Sequence, residues 1–236
     1  MKNKILLPGL DKQLQFLVNN FSEKIDSALV VGSASEKLAE QIAEKFSSSA
    51  ELVVEDFDSL ITSKLQLENG SKVKVSIMDY DKMDFGASSF DLVYAQASVS
   101  LIKRNKITKE ILIILKTRGL FCVGEVVVFT KDYPPFVKNV FDASNLLPLN
   151  VAEIENYYSS RGFKILDRLN LSSTLKDYYV NSLNLLHKMK GGFSEQEKSY
   201  YKKLINRVNH ESNVYLKLGG HKYIGFVVLL LQKDQQ

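Results

Sequence analysis

Short apolar runs alternate with amphipathic segments over the first 130 residues of the chain. Residues 27–32, 90–95 and 120–128 are mostly apolar, and residues 51–56 contain an apolar run that ends in acid. Residues 73–77 alternate between apolar and polar side chains. Runs of this length are typical of strands buried on both faces. Residues 35–46, 57–65 and 107–116 have apolar side chains at helical spacing and stand between these strands. The pattern predicts a doubly wound α/β fold with a mainly parallel sheet and helices on both faces.

The flanking segments extend this pattern. Residues 9–21 predict an amphipathic helix, and Gly119 is predicted to end helix 107–116 in a left-handed conformation. After Pro134 and Pro135, the spacing predicts a loop or short helix, a helix over 151–161, a strand over 163–169, helices over 172–190 and 194–208, and a final strand over 223–231. Because 236 residues suffice for one core, we expect a single domain over 1–236, with residues 172–222 as a helical insertion or lid within it.

The composition narrows the class of protein. The chain is 45% hydrophobic and 25% charged, which is typical of a globular domain. It has no run of 18 apolar residues, and its start turns polar at Asp11, so we expect a cytoplasmic protein with no membrane span or secretory signal. Cys122 is the only cysteine, and the spacing of His187, His210 and His221 does not resemble a zinc site. Neither a disulfide nor a metal is predicted.

The charge is unevenly distributed. Residues 1–150 hold 18 Lys and Arg against 19 Asp and Glu, whereas residues 151–236 hold 13 against 8. This excess suits an anionic partner, although solvated lysines on helix faces are its commoner cause. Nucleic-acid modification stays a minor hypothesis, because lysine and tyrosine clusters such as residues 199–203 are not accompanied by a recognised binding motif.

Candidate ligand-binding residues lie at the predicted strand ends. A ligand of an open parallel sheet binds beyond the carboxyl ends of its strands, which are here Gly32, Asp56, Asp79 and Gln96. The small residues 32–35 suit close approach of a ligand to the backbone. Asp56 follows Gly32 by 24 positions, where an acidic residue can accept hydrogen bonds from ribose hydroxyls. The combination predicts a site for an adenosine-containing ligand.

Two longer segments are more specific. Residues 79–93 (DYDKMDFGASSFDLV) and 107–125 (ITKEILIILKTRGLFCVGE) resemble motifs of the class I S-adenosylmethionine-dependent methyltransferases, in particular the small-molecule type. The sequence Pro8-Gly9-Leu10 before the first helix is similar to the start of that family. The resemblance covers roughly residues 5–170 and resumes at the final strand.

The resemblance implies a Rossmann-like seven-stranded sheet with an antiparallel last strand, S-adenosylmethionine as the cofactor and a small molecule as the substrate. It implies that Asp56 holds the ribose, Phe57 flanks the adenine, and Asp79 with the Tyr80 backbone binds the adenine amino edge. Gln96 would border the methionine moiety. The implied cofactor residues are Gly32, Ser33, Ala34, Asp56, Phe57, Asp79, Tyr80 and Gln96. No catalytic residue is implied, because methyl transfer depends mainly on positioning.

The first family motif is degenerate in this chain. The family has an acid and three alternating glycines where this chain has Val30, Gly32, Ala34 and Glu36. Close approach of a ligand at Ala34 requires a negative φ there, and Glu36 would repel a cofactor carboxylate if both pointed inward. An alternative is therefore an inactive methyltransferase-like scaffold or protein-interaction module, and a homodimer or a protein partner is also considered.

The tyrosines of the insertion leave two interpretations open. They could contact substrate as part of a lid, together with His187, or they could belong to the core while His187 lies at the surface. These tyrosines are Tyr178, Tyr179, Tyr200, Tyr201 and Tyr215.

Overall fold

The central sheet contains every strand that the periodicity predicts. A computed structural model describes residues 5–47, 49–67, 70–189 and 195–234. The strands are β1 (Ala28–Val31), β2 (Ala50–Val54), β3 (Val73–Ile77), β4 (Phe90–Gln96), β5 (Leu115–Val128), β6 (Leu149–Asn150), β7 (Phe163–Asn170) and β8 (Ile224–Lys233). Their order is β3-β2-β1-β4-β5-β8-β7, and the two-residue β6 pairs with β5. Strands β1 to β5 are parallel, and β8 is antiparallel to both β5 and β7. The predicted doubly wound fold with an antiparallel last strand is confirmed.

Helices cover both faces of the sheet. They are α1 (Lys12–Asn20), α2 (Glu36–Lys45), α3 (Phe57–Gln66), α4 (Arg104–Ile114), α5 (Pro135–Ala143), α6 (Ile154–Ser159), α7 (Thr174–Met189) and α8 (Glu195–Leu216). Buried side chains of α1, α2, α5, α7 and α8 form one core on the first face. Those of α4 and α6 form a second core on the other face. Among the helices of the described residues, none combines the length and the hydropathy needed to cross a bilayer.

The connection from α4 to β5 differs from its prediction. The helix ends at Ile114, and Arg118, with φ 64°, adopts the left-handed conformation that was expected of Gly119. Gly119 is needed for space instead, because a Cβ there would lie 2.8 Å from the Lys116 carbonyl oxygen. The expectation was wrong because steric room and backbone handedness are separate reasons for a glycine.

Helices α7 and α8 pair with each other, and α8 also packs against α5. Tyr179 and Tyr215 belong to the core of that face, with ring centroids 4.7 Å apart, so the core interpretation is confirmed for these two tyrosines. Tyr178 is partly buried, and His187 is exposed as the surface interpretation expected. The side chains of Tyr200 and Tyr201 lie outside the described residues.

Candidate functional site

The loop between β1 and α2 lies at the carboxyl edge of the sheet, beside the point where the strand order reverses. Gly32 has φ 136°, and its amide donates a hydrogen bond to the Val53 carbonyl oxygen at 3.0 Å. A Cβ on Gly32 would lie 3.0 Å from the Ser98 Cβ. The Ser98 hydroxyl donates to the Val31 carbonyl oxygen at 2.5 Å. The loops after β1 and β4 are therefore packed together, and only glycine fits at position 32 without a shift.

Ala34 departs from its prediction, because its φ is 60° and not negative. Leu10 and Ala97, at the same edge of the sheet, also have left-handed backbones, with φ 52° and 60°. A left-handed conformation costs a residue other than glycine about 1 to 2 kcal/mol. Strained backbone of this kind clusters at functional sites. The turn at Ala34 thus keeps a glycine-like geometry without the glycine.

Two polar side chains at the start of α2 are buried in different surroundings. The Ser35 side chain is 1% exposed, and its hydroxyl has no hydrogen-bond partner among the described residues. Glu36 is also buried, and its carboxylate accepts a hydrogen bond from the Ser63 hydroxyl of α3 at 2.5 Å. The expected repulsion required Glu36 to point toward a cofactor, whereas its carboxylate is bonded to the neighbouring helix. The amide groups at the start of α2 remain suited to an anionic ligand group.

The carboxyl end of β2 presents two acidic residues and an exposed ring. Asp56 caps α3, because its two carboxylate oxygens accept hydrogen bonds from the Ser59 amide and hydroxyl, both at 2.7 Å. Phe57 is 64% exposed. Glu55 is a further candidate that the sequence analysis missed: it is partly buried, and burial raises the pKa of its carboxyl group. Successive side chains of a strand point to opposite faces of the sheet. The two consecutive acids at the end of β2 could therefore have indicated Glu55 as well as Asp56.

The segment after β3 joins this edge to the β1 loop. Asp79 is exposed, whereas Tyr80 is 4% exposed and its amide donates to the Glu55 carboxylate at 3.4 Å. The Tyr80 side chain lies beside Ser33, and burial raises the pKa of that side chain. Tyr80 therefore bridges the loops that follow β1 and β3.

Gln96 closes β4 and holds the segment before α1. Its side chain is 2% exposed, and its amide nitrogen donates to the carbonyl oxygens of Pro8 at 2.7 Å and Leu10 at 2.8 Å. Its amide oxygen accepts a hydrogen bond from the Tyr94 hydroxyl at 2.6 Å. A Cβ on Gly9 would lie 2.6 Å from the Phe226 ring. The Pro-Gly-Leu segment is thus fixed across the carboxyl edge by β4 and β8.

A buried ionic cluster supports the loop after β4, and the sequence analysis did not identify it. Glu125 of β5 is fully buried and accepts hydrogen bonds from Arg104 at 3.0 Å, from the Tyr158 hydroxyl at 2.5 Å and from the Ser100 hydroxyl. Arg104 also donates to the Leu147 carbonyl oxygen at 2.5 Å. In the sequence, the signal was Glu125 as a single acid within an apolar strand. An acid in a buried strand needs a partner for its charge.

All the predicted cofactor residues lie in the segments at this edge, from Gly32 to Ala34, from Asp56 to Phe57, at Asp79 and Tyr80, and at Gln96. Their exposure differs, since Phe57 and Asp79 face solvent while Tyr80 and Gln96 are buried. Within the part of the chain that the structure describes, no three His, Cys, Asp or Glu side chains come together as metal ligands. The edge therefore offers backbone groups, carboxylates and one exposed ring.

One family model matches part of the chain. Residues 29–123 match the family model described as "Methyltransferase domain". The comparison with curated protein sequences gave no match.

Three solved structures have the same fold. Phosphoethanolamine N-methyltransferase 2 of Haemonchus contortus, in complex with phosphomonomethylethanolamine and S-adenosylhomocysteine, is 17% identical with a TM-score of 0.77, and the match covers 99% of this chain and 55% of that one. The (4+2)-cyclase SpnF is 16% identical, with a TM-score of 0.75 and coverage of 96% and 81%. The geranyl diphosphate C-methyltransferase of Streptomyces coelicolor is 11% identical, with a TM-score of 0.69 and coverage of 94% and 77%. The chain therefore has the fold of the class I S-adenosylmethionine-dependent methyltransferases, and residues 29–123 match a methyltransferase domain model.

Proposed function

We propose that this protein is an S-adenosylmethionine-dependent methyltransferase that acts on a small molecule. The observation that carries the proposal is the turn after β1. Gly32 allows close backbone approach, the buried Ser35 hydroxyl has no hydrogen-bond partner among the described residues, and Glu36 is bonded to α3. This donor set suits the carboxylate group of the cofactor's methionine moiety.

The remaining residues fit an adenosine group. The Asp56 carboxylate has lone pairs left beyond the two contacts that it makes with Ser59, so it can still accept hydrogen bonds from ribose hydroxyls. The exposed Phe57 ring would cover one face of the adenine, and Asp79 with the Tyr80 backbone would lie at its amino edge. When bound, the cofactor supplies an electrophilic methyl group. The chain itself would contribute orientation and exclusion of water, with the Gln96-bound N-terminal segment beside the methionine end.

The names of related folds support a small molecule as the substrate. The related folds include enzymes named for phosphoethanolamine and geranyl diphosphate, which are both small molecules. A protein named as a cyclase has the same fold, so the test must measure methyl transfer as well as cofactor binding.

The first test is calorimetric titration with S-adenosylmethionine and S-adenosylhomocysteine, after mass spectrometry has excluded copurified cofactor. We expect Kd values of about 1 to 100 μM, and adenosine alone should bind more weakly because it lacks the methionine moiety. Release of S-adenosylhomocysteine with a panel of small phosphorylated and amine acceptors then tests the transfer. No binding at millimolar cofactor would overturn the proposal.

A second candidate function is a non-catalytic scaffold for a protein partner. It is favoured by the hydrogen bonds that Asp56 and Gln96 already make within the chain, since polar side chains at the expected site are engaged without a ligand. If the protein is such a scaffold, it should be folded and unfold in one cooperative transition, but it should not bind the cofactor. Measurable methyl transfer to any acceptor would contradict it.

A further inference from the structure

The outer edge of β3 offers backbone hydrogen-bonding groups to solvent, although the Val73 amide also donates to the Ser71 hydroxyl at 3.3 Å. β3 is the last strand on its side of the sheet among the described residues. The Met78 amide donates to the Val54 carbonyl oxygen at 3.0 Å, which shows that the even-numbered positions face β2. Alternation then directs the amide and carbonyl groups of Val73, Val75 and Ile77 outward. Such an edge is a template for pairing with another strand.

An apolar stripe lies along α3 at the same edge. Phe57, Ile61 and Leu65 follow each other at four-residue spacing and are 64%, 42% and 81% exposed. α3 packs against β3, whose last residue, Ile77, is also exposed. The free strand edge and the apolar stripe are two independent features of one end of the sheet.

We propose that a second copy of this chain covers this edge, with the two β3 strands paired antiparallel about a two-fold axis at Val75. In this register Val73 lies opposite the partner's Ile77, so the outward-facing backbone groups of Val75 and Ile77 find partners, and the Val73 amide exchanges its 3.3 Å bond to the Ser71 hydroxyl for one to the second strand. The two α3 helices then lie on the same side of a continuous sheet, where Ile61 and Leu65 are removed from water.

The sequence of β3 is suited to pairing with itself. Reversal of Val-Lys-Val-Ser-Ile about its centre places apolar side chains opposite apolar ones, and Lys74 opposite the partner's Ser76. Lys74 lies 3.4 Å from Glu51 of its own chain, so the charge brought to the axis is compensated. No like charges stand directly opposite each other. The β3 strand of a second copy therefore places apolar side chains opposite apolar ones and brings no like charges together.

The opposite edge of the sheet shows the contrast. β7 carries Lys164, Asp167 and Arg168 along its eight residues, whereas Lys74 is the one charged residue of β3, and charged side chains discourage edge pairing. Arg168 is also held in an ion pair with Glu155. The self-pairing surface is therefore specific to the β3 end.

Sedimentation velocity of the full chain, over protein concentrations from about 1 to 100 μM, tests the proposal. We expect a dimer with a Kd of about 10 μM or tighter. Val75→Pro removes an outward amide without removing a bond to β2, and Ile61→Lys places a charge on the stripe; each should raise the Kd at least about tenfold. Phe57 is left unchanged because it belongs to the proposed cofactor site.

Two control variants separate pairing from folding. Val75→Thr keeps the amide and the β-branched shape, and Val180→Lys places the same charge on an exposed apolar position of α7, so both should remain dimeric. Circular dichroism confirms that each variant is folded. A wild-type protein that is monomeric at about 100 μM, or a dimer that persists in both test variants, would overturn the proposal. Cofactor titration of the same variants is a separate readout, because the pairing surface does not depend on cofactor binding.

Discussion

The two halves of the carboxyl edge treat their polar side chains differently. At the ends of β2 and β3, Asp56, Phe57 and Asp79 are exposed to solvent. At the end of β4 and in β5, Gln96 and Glu125 are almost completely buried, and each makes at least three hydrogen bonds within the chain. The first half has groups that a ligand can reach from solvent, whereas the second half has groups that fix the surrounding loops.

This difference teaches that a polar residue at a strand end has two possible uses. A buried polar group with all its partners inside the chain stabilises one conformation, and it gains nothing from a ligand. An exposed carboxylate such as that of Asp56 can cap a helix and still keep lone pairs for binding. Burial, more than position along the strand, separates the two uses.

The largest effect is expected from the ionic cluster. Arg104→Met should lower the free energy of unfolding by about 3 to 5 kcal/mol, because it leaves the fully buried Glu125 carboxylate without its counter-charge. Urea denaturation followed by circular dichroism measures the loss.

The double variant Arg104→Met with Glu125→Gln is the matched control. It removes both charges, so it should recover part of the stability that the single variant loses. If the double variant is less stable than Arg104→Met alone, the charge pair is not the source of the effect.

Gln96→Leu should have the next largest effect, about 2 to 3 kcal/mol, because two carbonyl oxygens and the Tyr94 hydroxyl lose their partner. It should also release the segment at Pro8 and Leu10, so limited proteolysis should cleave before α1 sooner than in the wild type. Unchanged proteolysis would show that packing of Gly9 against Phe226 is sufficient to hold that segment.

The sequence predicted where the strands end, but not how their side chains are used. Periodicity placed Gly32, Asp79 and Gln96 at the carboxyl edge, because parallel strands of one sheet end on the same side. The carbonyl groups that Gln96 binds belong to Leu10 and Pro8, which precede it by 86 and 88 positions in the chain. No local pattern encodes such a contact. The partners of Glu125 likewise come from two separate segments, residues 100–104 and α6. Local sequence patterns therefore predict where the site lies in the sheet. Tertiary contacts determine which of its side chains remain accessible to a ligand.

The exposed half is tested by separating the two roles of Asp56. Asp56→Asn keeps a side-chain oxygen for the cap of α3 but removes the charge, so stability should change little while cofactor affinity falls about tenfold, or about 1.4 kcal/mol. Asp56→Ala should lose the same affinity and about 1 kcal/mol of stability as well. Calorimetric titration and thermal denaturation of both variants give the two readouts. Equal affinity in the wild type and Asp56→Asn would remove Asp56 from the cofactor site.

The smallest effect is expected at the turn between these halves. Ala34→Gly should raise the free energy of unfolding by about 0.5 to 1 kcal/mol, because glycine adopts φ 60° without strain and part of that gain is offset by its freedom in the unfolded chain. Ala143→Gly, on the exposed last turn of α5, is the matched control and should not stabilise the protein. Cofactor affinity should be at least as high in Ala34→Gly as in the wild type, because the backbone geometry of the turn is retained. A loss of stability would mean that the Ala34 methyl group makes contacts that outweigh the strain of its backbone.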